Sequence, residues 1–235
     1  MSKIKDLPKD WHVFADAEAL AQELTHKILK QADKAIKKRG SFHFITAGGS
    51  TPNRCYQLLS QADADWKNWH IYMGDERVFP FLNPERNSQA LLTHWLSNNE
   101  IPVQQIHFIN TEAGLEKSAE TYATIIEAVQ RFDLALLGMG EDGHTASLFP
   151  RHEYSDSVKL IGDEGLVIME HNSPKPPAKR VSLNYAAFSK VKKVFKIITG
   201  PSKAPMVKQW KAGADLPIAK VSGKHNEVWL SKDCL

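Results

Sequence analysis

Apolar side chains recur along this chain at two spacings, and the two alternate. From residue 16 to 38, Leu20, Leu24, Ile28, Ala32 and Ile36 fall about one helical turn apart, which puts them on one stripe of a long amphipathic helix. Gly40 follows as a helix stop, because glycine takes the left-handed conformation that ends many helices. Short runs of β-branched and aromatic residues separate the helical stretches: WHVF (11–14), FHFIT (42–46), HIYM (70–73), IHFI (106–109), LVIM (166–169), RVSL (180–183), VFKIIT (194–199) and EVWL (227–230). Their length and composition are those of strands. The run DLALLGMG (133–140) is apolar from Leu134 to Leu137, as in a strand covered on both faces. Further helices are predicted from Pro52 onward and over 87–96, 115–130 and 203–210. Strands alternating with helices predict an α/β fold, a three-layer αβα arrangement around a mostly parallel, Rossmann-like sheet. SPKPPAKR (173–180) reads as a loop before a strand, too short to separate domains, so residues 1–235 are expected to form a single α/β domain.

Composition narrows the class without naming a function. Hydrophobic residues make up 42% and charged residues 24% of the 235, enough apolar surface for a buried core. The net charge of +3 is too mild to argue for nucleic acid, and the basic runs KAIKKRG and KVKKVFK read as solvated faces. Cys55 and Cys234 are the only cysteines, which suggests reduced thiols rather than a disulfide framework. No apolar run approaches the ~18 residues of a membrane helix, and the first residues lack a signal-peptide pattern. The expectation is a cytoplasmic protein with neither nucleic acid nor membrane as partner.

In open α/β sheets, ligands bind beyond the carboxyl ends of the strands. Four strands here run into polar or glycine-rich turns: TAGGSTP, GDER, GMGEDGHTAS and TGPSK. In a parallel sheet all four lie on one rim. In the first, Gly48 and Gly49 let the backbone approach a ligand, and Ser50 and Thr51 precede Pro52 in a helical first turn. Such a turn suits a phosphate; it also suits an ordinary capped turn, and it has neither the Walker lysine nor the dinucleotide spacing. In the second, Asp75 and Glu76 precede Arg77, a group that can orient a histidine or hold an anion, or form a solvated loop. In the third, Gly138, Gly140 and Gly143 surround Asp142 and His144, with Thr145 and Ser147 placed in the expected first turn of a helix. A histidine there would stay neutral, as a general base must. One histidine among scattered carboxylates does not make a metal ligand set. Lys203, after the fourth strand, and Arg180, at the start of RVSL, could each reach a phosphate.

Taken together, GGSTP, DER with a later NS, GEDGHTASLFP, RVSL and GPSK resemble the sugar-phosphate family that includes 6-phosphogluconolactonase and glucosamine-6-phosphate isomerase/deaminase, in the family's order and over about residues 10–233. The continuation Thr-Ala-Ser-Leu-Phe-Pro after His144 resembles the lactonase branch; the deaminase branch carries an Asn-Glu-Pro segment there. The chain departs from the pattern at Gln89, Arg151 and Asn184. The resemblance implies hydrolysis of 6-phospho-D-glucono-1,5-lactone to 6-phospho-D-gluconate in the oxidative pentose phosphate pathway, with no cofactor, no metal, and a phosphosugar lactone as the partner molecule. His144 would be the general base, and Asp75 or Asp142 would orient it. Arg77 would bind substrate oxygens or the developing oxyanion. Gly48, Gly49, Ser50, Thr51, Arg180 and Lys203 would hold the phosphate. The expected state is a monomer or weak homodimer. A deaminase and a non-catalytic sugar-phosphate sensor are the alternatives.

Overall fold

The structure, a computed structural model, describes residues 7–153 and 165–235. Seven strands form one sheet: β1 (Trp11–Phe14), β2 (Phe42–Thr46), β3 (Trp69–Met73), β5 (Ile106–His107), β6 (Phe132–Gly138), β9 (Val191–Ile198) and β10 (His225–Ser231), in the order β1-β10-β9-β6-β2-β3-β5. Every pairing in it is parallel. Helices α1 (Ala17–Arg39), α2 (Ser50–Leu59), α3 (Asn87–His94) and α4 (Leu115–Glu127) carry the connections between early strands, and α5 (Tyr185–Ser189), α6 (Ala204–Lys211) and α7 (Pro217–Lys220) follow. The three-layer α/β expectation therefore holds. β6 is buried along its first six residues, as its apolar run predicts. The α1 stripe is buried at Leu20, Leu24, Ile28 and Ala32; Asp16 caps its start and Gly40, with φ 84°, ends it.

The remaining strands depart from the expectation. β4 (Asp75–Arg77), β8 (Arg180–Leu183) and β7 (Val167–Glu170) form a separate three-stranded antiparallel sheet. RVSL and LVIM thus lie outside the parallel sheet, because each finds its partner in the DER segment or in the other. IHFI shortens to a two-residue strand.

The chain moves outward from β2 to β3 and β5, then returns to place β6 on the other side of β2. That reversal opens a crevice at the carboxyl ends of β2 and β6, where doubly wound sheets bind ligands.

The opposite end of the sheet carries a stack of imidazoles. His43 lies beside His70 in the β2–β3 register, and Tyr72 beside His107 in the β3–β5 register. Both ring pairs stack at 4.5 Å. His43 meets Ser41 at Nε2 and Tyr72 at Nδ1. Burial first, then the charges of His70, His107 and Arg39, push the His43 pKa down to about 4; burial also lowers His70 and His107. Arg39, Arg131 and Asp133, the last paired with Arg39, line the same cleft. In the unfolded chain these rings protonate near 6.5, so it binds the extra protons first. Stability is therefore full above about 6.5 and falls as pH drops toward about 4. The melting temperature should fall between pH 7.5 and 4.5, and His70→Phe should shrink that fall; undiminished acid sensitivity in His70→Phe would contradict this.

Candidate functional site

The four polar turns meet on one rim. A cleft of about 320 Å³ opens over the ends of β2, β3 and β6, and Gly48, Gly49, Asp75, Arg77, Gly140 and His144 line it together with Arg180 and Lys203. Ser50 and Thr51 do not line it. Ser50 is exposed in the first turn of α2, and the Thr51 hydroxyl meets that of Thr199, 2.5 Å away at the end of β9. Thr51 ties the first turn to the fourth instead of facing the cleft.

His144 sits on a tight turn, not at the start of a helix. Thr145 and Leu148 exchange backbone hydrogen bonds, and Ala146 has φ 49°. Pro150 then lacks the N–H that a continuing helix needs. The helix expected over Thr145 and Ser147 is absent, so this turn gives the imidazole no helix N-terminus of its own. Its orientation has another source. Asp142 Oδ1 lies 2.5 Å from His144 Nδ1 and also accepts the His144 backbone N–H at 3.1 Å. The imidazole packs on Phe149, with ring centroids 4.7 Å apart. Burial raises the Asp142 pKa, but the hydrogen bond and charge of His144 outweigh it and hold the carboxyl at about 2. An ionised carboxylate at Nδ1 fixes the proton on that nitrogen and leaves the lone pair on Nε2. Gly140 makes room for this arrangement: a β-carbon there would stand 2.0 Å from His144 Nδ1 and 2.7 Å from Asp142 Oδ1.

Asp75, the other candidate partner for His144, is engaged elsewhere. Its carboxylate accepts Ser147 Oγ at 2.7 Å and Asn87 Nδ2 at 3.0 Å. It binds the β3–β4 corner to the histidine turn and to the start of α3. Asn87 is a cleft residue the motif reading did not single out. Its amide also fills the space beside Gly48, where a β-carbon would stand 2.2 Å from Asn87 Oδ1.

Among the described residues, four cationic side chains line the cleft: Arg77, Lys175, Arg180 and Lys203. Arg77 and Arg180 are register partners in the small antiparallel sheet. Arg77 donates to the Glu85 carbonyl at 2.5 Å, while its buried Nε has no hydrogen-bond partner among the described residues. Arg180 is 6% exposed and donates to the Lys175 carbonyl at 2.9 Å. That bond holds the proline-rich loop so that Lys175 and Pro176 line the cleft. Burial lowers the pKa of Lys203, Glu141 opposes the fall and Lys175 adds to it. Lys175 is thus a second lysine close enough to be felt at Lys203, and only its position in the fold reveals it. Among the described residues, no group of three or more His, Cys, Asp or Glu side chains is placed to hold a metal ion, and no helix is long and apolar enough to cross a membrane.

The departures from the family pattern have local explanations. Arg151 has φ 65°, the conformation for which glycine is usual. Gln89 donates to the Phe81 carbonyl at 2.7 Å. Asn184 caps α5 by accepting the Tyr185 N–H and donates to the Gly165 carbonyl.

The family described as glucosamine-6-phosphate isomerases/6-phosphogluconolactonase matches residues 15–230. A 6-phosphogluconolactonase of Mycobacterium tuberculosis is 30% identical over 235 residues, covering 93% of each chain. The human GDH/6PGL endoplasmic bifunctional protein is 36% identical over 202 residues, 81% of this chain; the matched region spans only 25% of that longer relative. The crystal structure of 6-phosphogluconolactonase from Thermotoga maritima superposes with a TM-score of 0.85 at 27% identity, covering 94% of this chain and 99% of the other.

Proposed function

The chain belongs to the glucosamine-6-phosphate isomerase/6-phosphogluconolactonase family, and we propose that it hydrolyses 6-phospho-D-glucono-1,5-lactone to 6-phospho-D-gluconate as one catalytic domain. The observation that carries this reading is the pairing of His144 with Asp142 at one end of a cleft whose other walls are lined by Arg77, Arg180, Lys175 and Lys203. A lactone carbonyl is already electrophilic, so the reaction needs a poised base, an anchor for the phosphate and donors for the developing charge.

In this reading, Asp142 holds the His144 proton on Nδ1, and Nε2 takes a proton from the attacking water. The imidazolium then returns it to the departing ring oxygen, and opening the ring leaves a carboxylic acid at C1 that loses its proton to solvent to give the carboxylate of the product. Lys203 and Lys175 hold the 6-phosphate, with Arg180 fixing the loop that carries Lys175. Arg77, which lines the cleft, donates through its guanidinium to substrate oxygens. Backbone N–H groups of the turn at Gly48 and Gly49 face the developing oxyanion. Asp75 acts through others, by fastening Asn87 and Ser147. Anchoring the phosphate places C1 against the base, and this is where the rate gain from orientation arises.

Incubation with the lactone and, separately, with glucosamine 6-phosphate tests the assignment. Accelerated lactone loss without ammonia release supports it. Ammonia release would point to deamination, and product binding without turnover to a sensor. Lys203→Ala should raise KM roughly 10–100-fold, the value of a charge-assisted hydrogen bond, with a smaller change in kcat. An unchanged KM would remove Lys203 from the phosphate site.

A further inference from the structure

Glu76 is absent from the cleft lining, yet two residues of that lining, Arg77 and Asn87, donate their backbone N–H groups to it. Its side chain is fully buried. One carboxylate oxygen accepts the backbone N–H groups of Arg77 and Asn87, each at 2.8 Å. The other accepts the Ser88 N–H at 2.9 Å and Arg86 Nε at 3.4 Å. Asn87 and Ser88 open α3, whose own preceding residue, Arg86, supplies no side-chain cap. Glu76 therefore caps α3 from a different element, the β4 strand, and its charge suits the positive end of that helix.

The cap has consequences inside the cleft. With its backbone held by Glu76, Asn87 directs Nδ2 onto both the carbonyl and the carboxylate of Asp75, at 3.0 Å each, and sets Oδ1 against Gly48. Arg77, held at its backbone N–H, reaches back to the Glu85 carbonyl. One buried carboxylate thus sets the spacing between the glycine turn, the β3–β4 corner and the loop that ends at α3. Arg86 is its only cationic partner among the described residues. That guanidinium is 2% exposed and also donates to the Ile109 carbonyl at 2.9 Å.

We propose that Glu76 is a positioning residue for substrate binding: by capping α3 it places Asn87 and Arg77 against the sugar, while the His144–Asp142 pair stands on a different turn. This rests on the lactone-hydrolysing reading of the cleft. Glu76→Gln keeps the size but leaves only one acceptor oxygen for two pairs of donors, so one pair loses its partner. KM for the lactone should rise roughly fivefold or more, the weight of about one net hydrogen bond, while kcat stays within about twofold. Such a split marks lost binding with the chemical step intact.

The same substitution leaves Arg86 as a buried cation without a counter-charge, so it also lowers stability. The double variant Glu76→Gln/Arg86→Met removes that burden. It should recover much of the melting temperature and keep the raised KM, together with weaker binding of 6-phosphogluconate by calorimetry. If Glu76→Gln does not fold, the double variant alone carries the test. A wild-type KM in either variant, or a KM that recovers together with the melting temperature, would overturn the proposal. Wild-type turnover is read in the same assay. Its absence would count against the lactonase reading itself and leave Glu76 nothing to position, whereas normal wild-type turnover with an unaltered variant counts against Glu76 alone.

Discussion

His144→Ala should lower kcat for the lactone by about 10²–10⁴-fold and leave KM within a few-fold. The residue carries the proposed proton transfer, and among the described residues no other imidazole lines the cleft. The proposed phosphate anchor at Lys203 and Lys175 lies on other loops and should stay in place. The fold should be unaffected too, because the side chain is partly exposed and its hydrogen-bond partner Asp142 is on the surface side of the same turn. Steady-state kinetics with the melting temperature as control checks this. Near-normal turnover in a folded His144→Ala variant would remove the histidine from the mechanism. A loss carried wholly by KM would make it a binding residue instead.

Gly140→Ala is the second large effect, and it follows from space alone. Gly140 does not have positive φ, so alanine meets no backbone penalty there. Its β-carbon would nevertheless stand 2.0 Å from His144 Nδ1 and 2.1 Å from Cε1. The imidazole must move, and the hydrogen bond to Asp142 must break or bend with it. Misplacing a catalytic group by about 1 Å can cost about 100-fold. The expected result is therefore a fall of that order in kcat, with a melting temperature close to the parent's. Adding Asp142→Asn to Gly140→Ala should cost much less than it costs in the parent, since the contact it removes is already lost. Full additivity would mean that Gly140 and Asp142 act on the reaction separately.

Much of this was legible from spacing. The 16–38 stripe, the apolar run of β6 and the strand–turn rhythm gave the parallel sheet, and the strand-end rule brought four turns to one rim. What escaped reading depends on pairing across the fold. RVSL and LVIM have the composition of any strand, and nothing in them says that DER will be their neighbour. The Thr145 and Ser147 pattern resembles a helix start, but the backbone bonds between Thr145 and Leu148 close a turn first. Asp75 and Asp142 were equal candidates beside His144 until Ser147 and Asn87 were seen to occupy Asp75. Lys175 looked like one lysine in a proline-rich loop, and only the bond from Arg180 to its carbonyl turns that loop to the cleft. Asn87 stood in the NS segment without a role, because its partner Gly48 is 39 positions away in the chain.

In the proposed mechanism, one cleft holds the phosphate at Lys203 and Lys175 and presents C1 to His144. A crystal structure with 6-phosphogluconate bound measures this directly. Phosphate oxygens should lie within hydrogen-bond distance of Lys203 and Lys175, and the C1 carboxylate roughly 3–3.5 Å from His144 Nε2. A product bound with its phosphate against His144, or with C1 directed away from the imidazole, would contradict it.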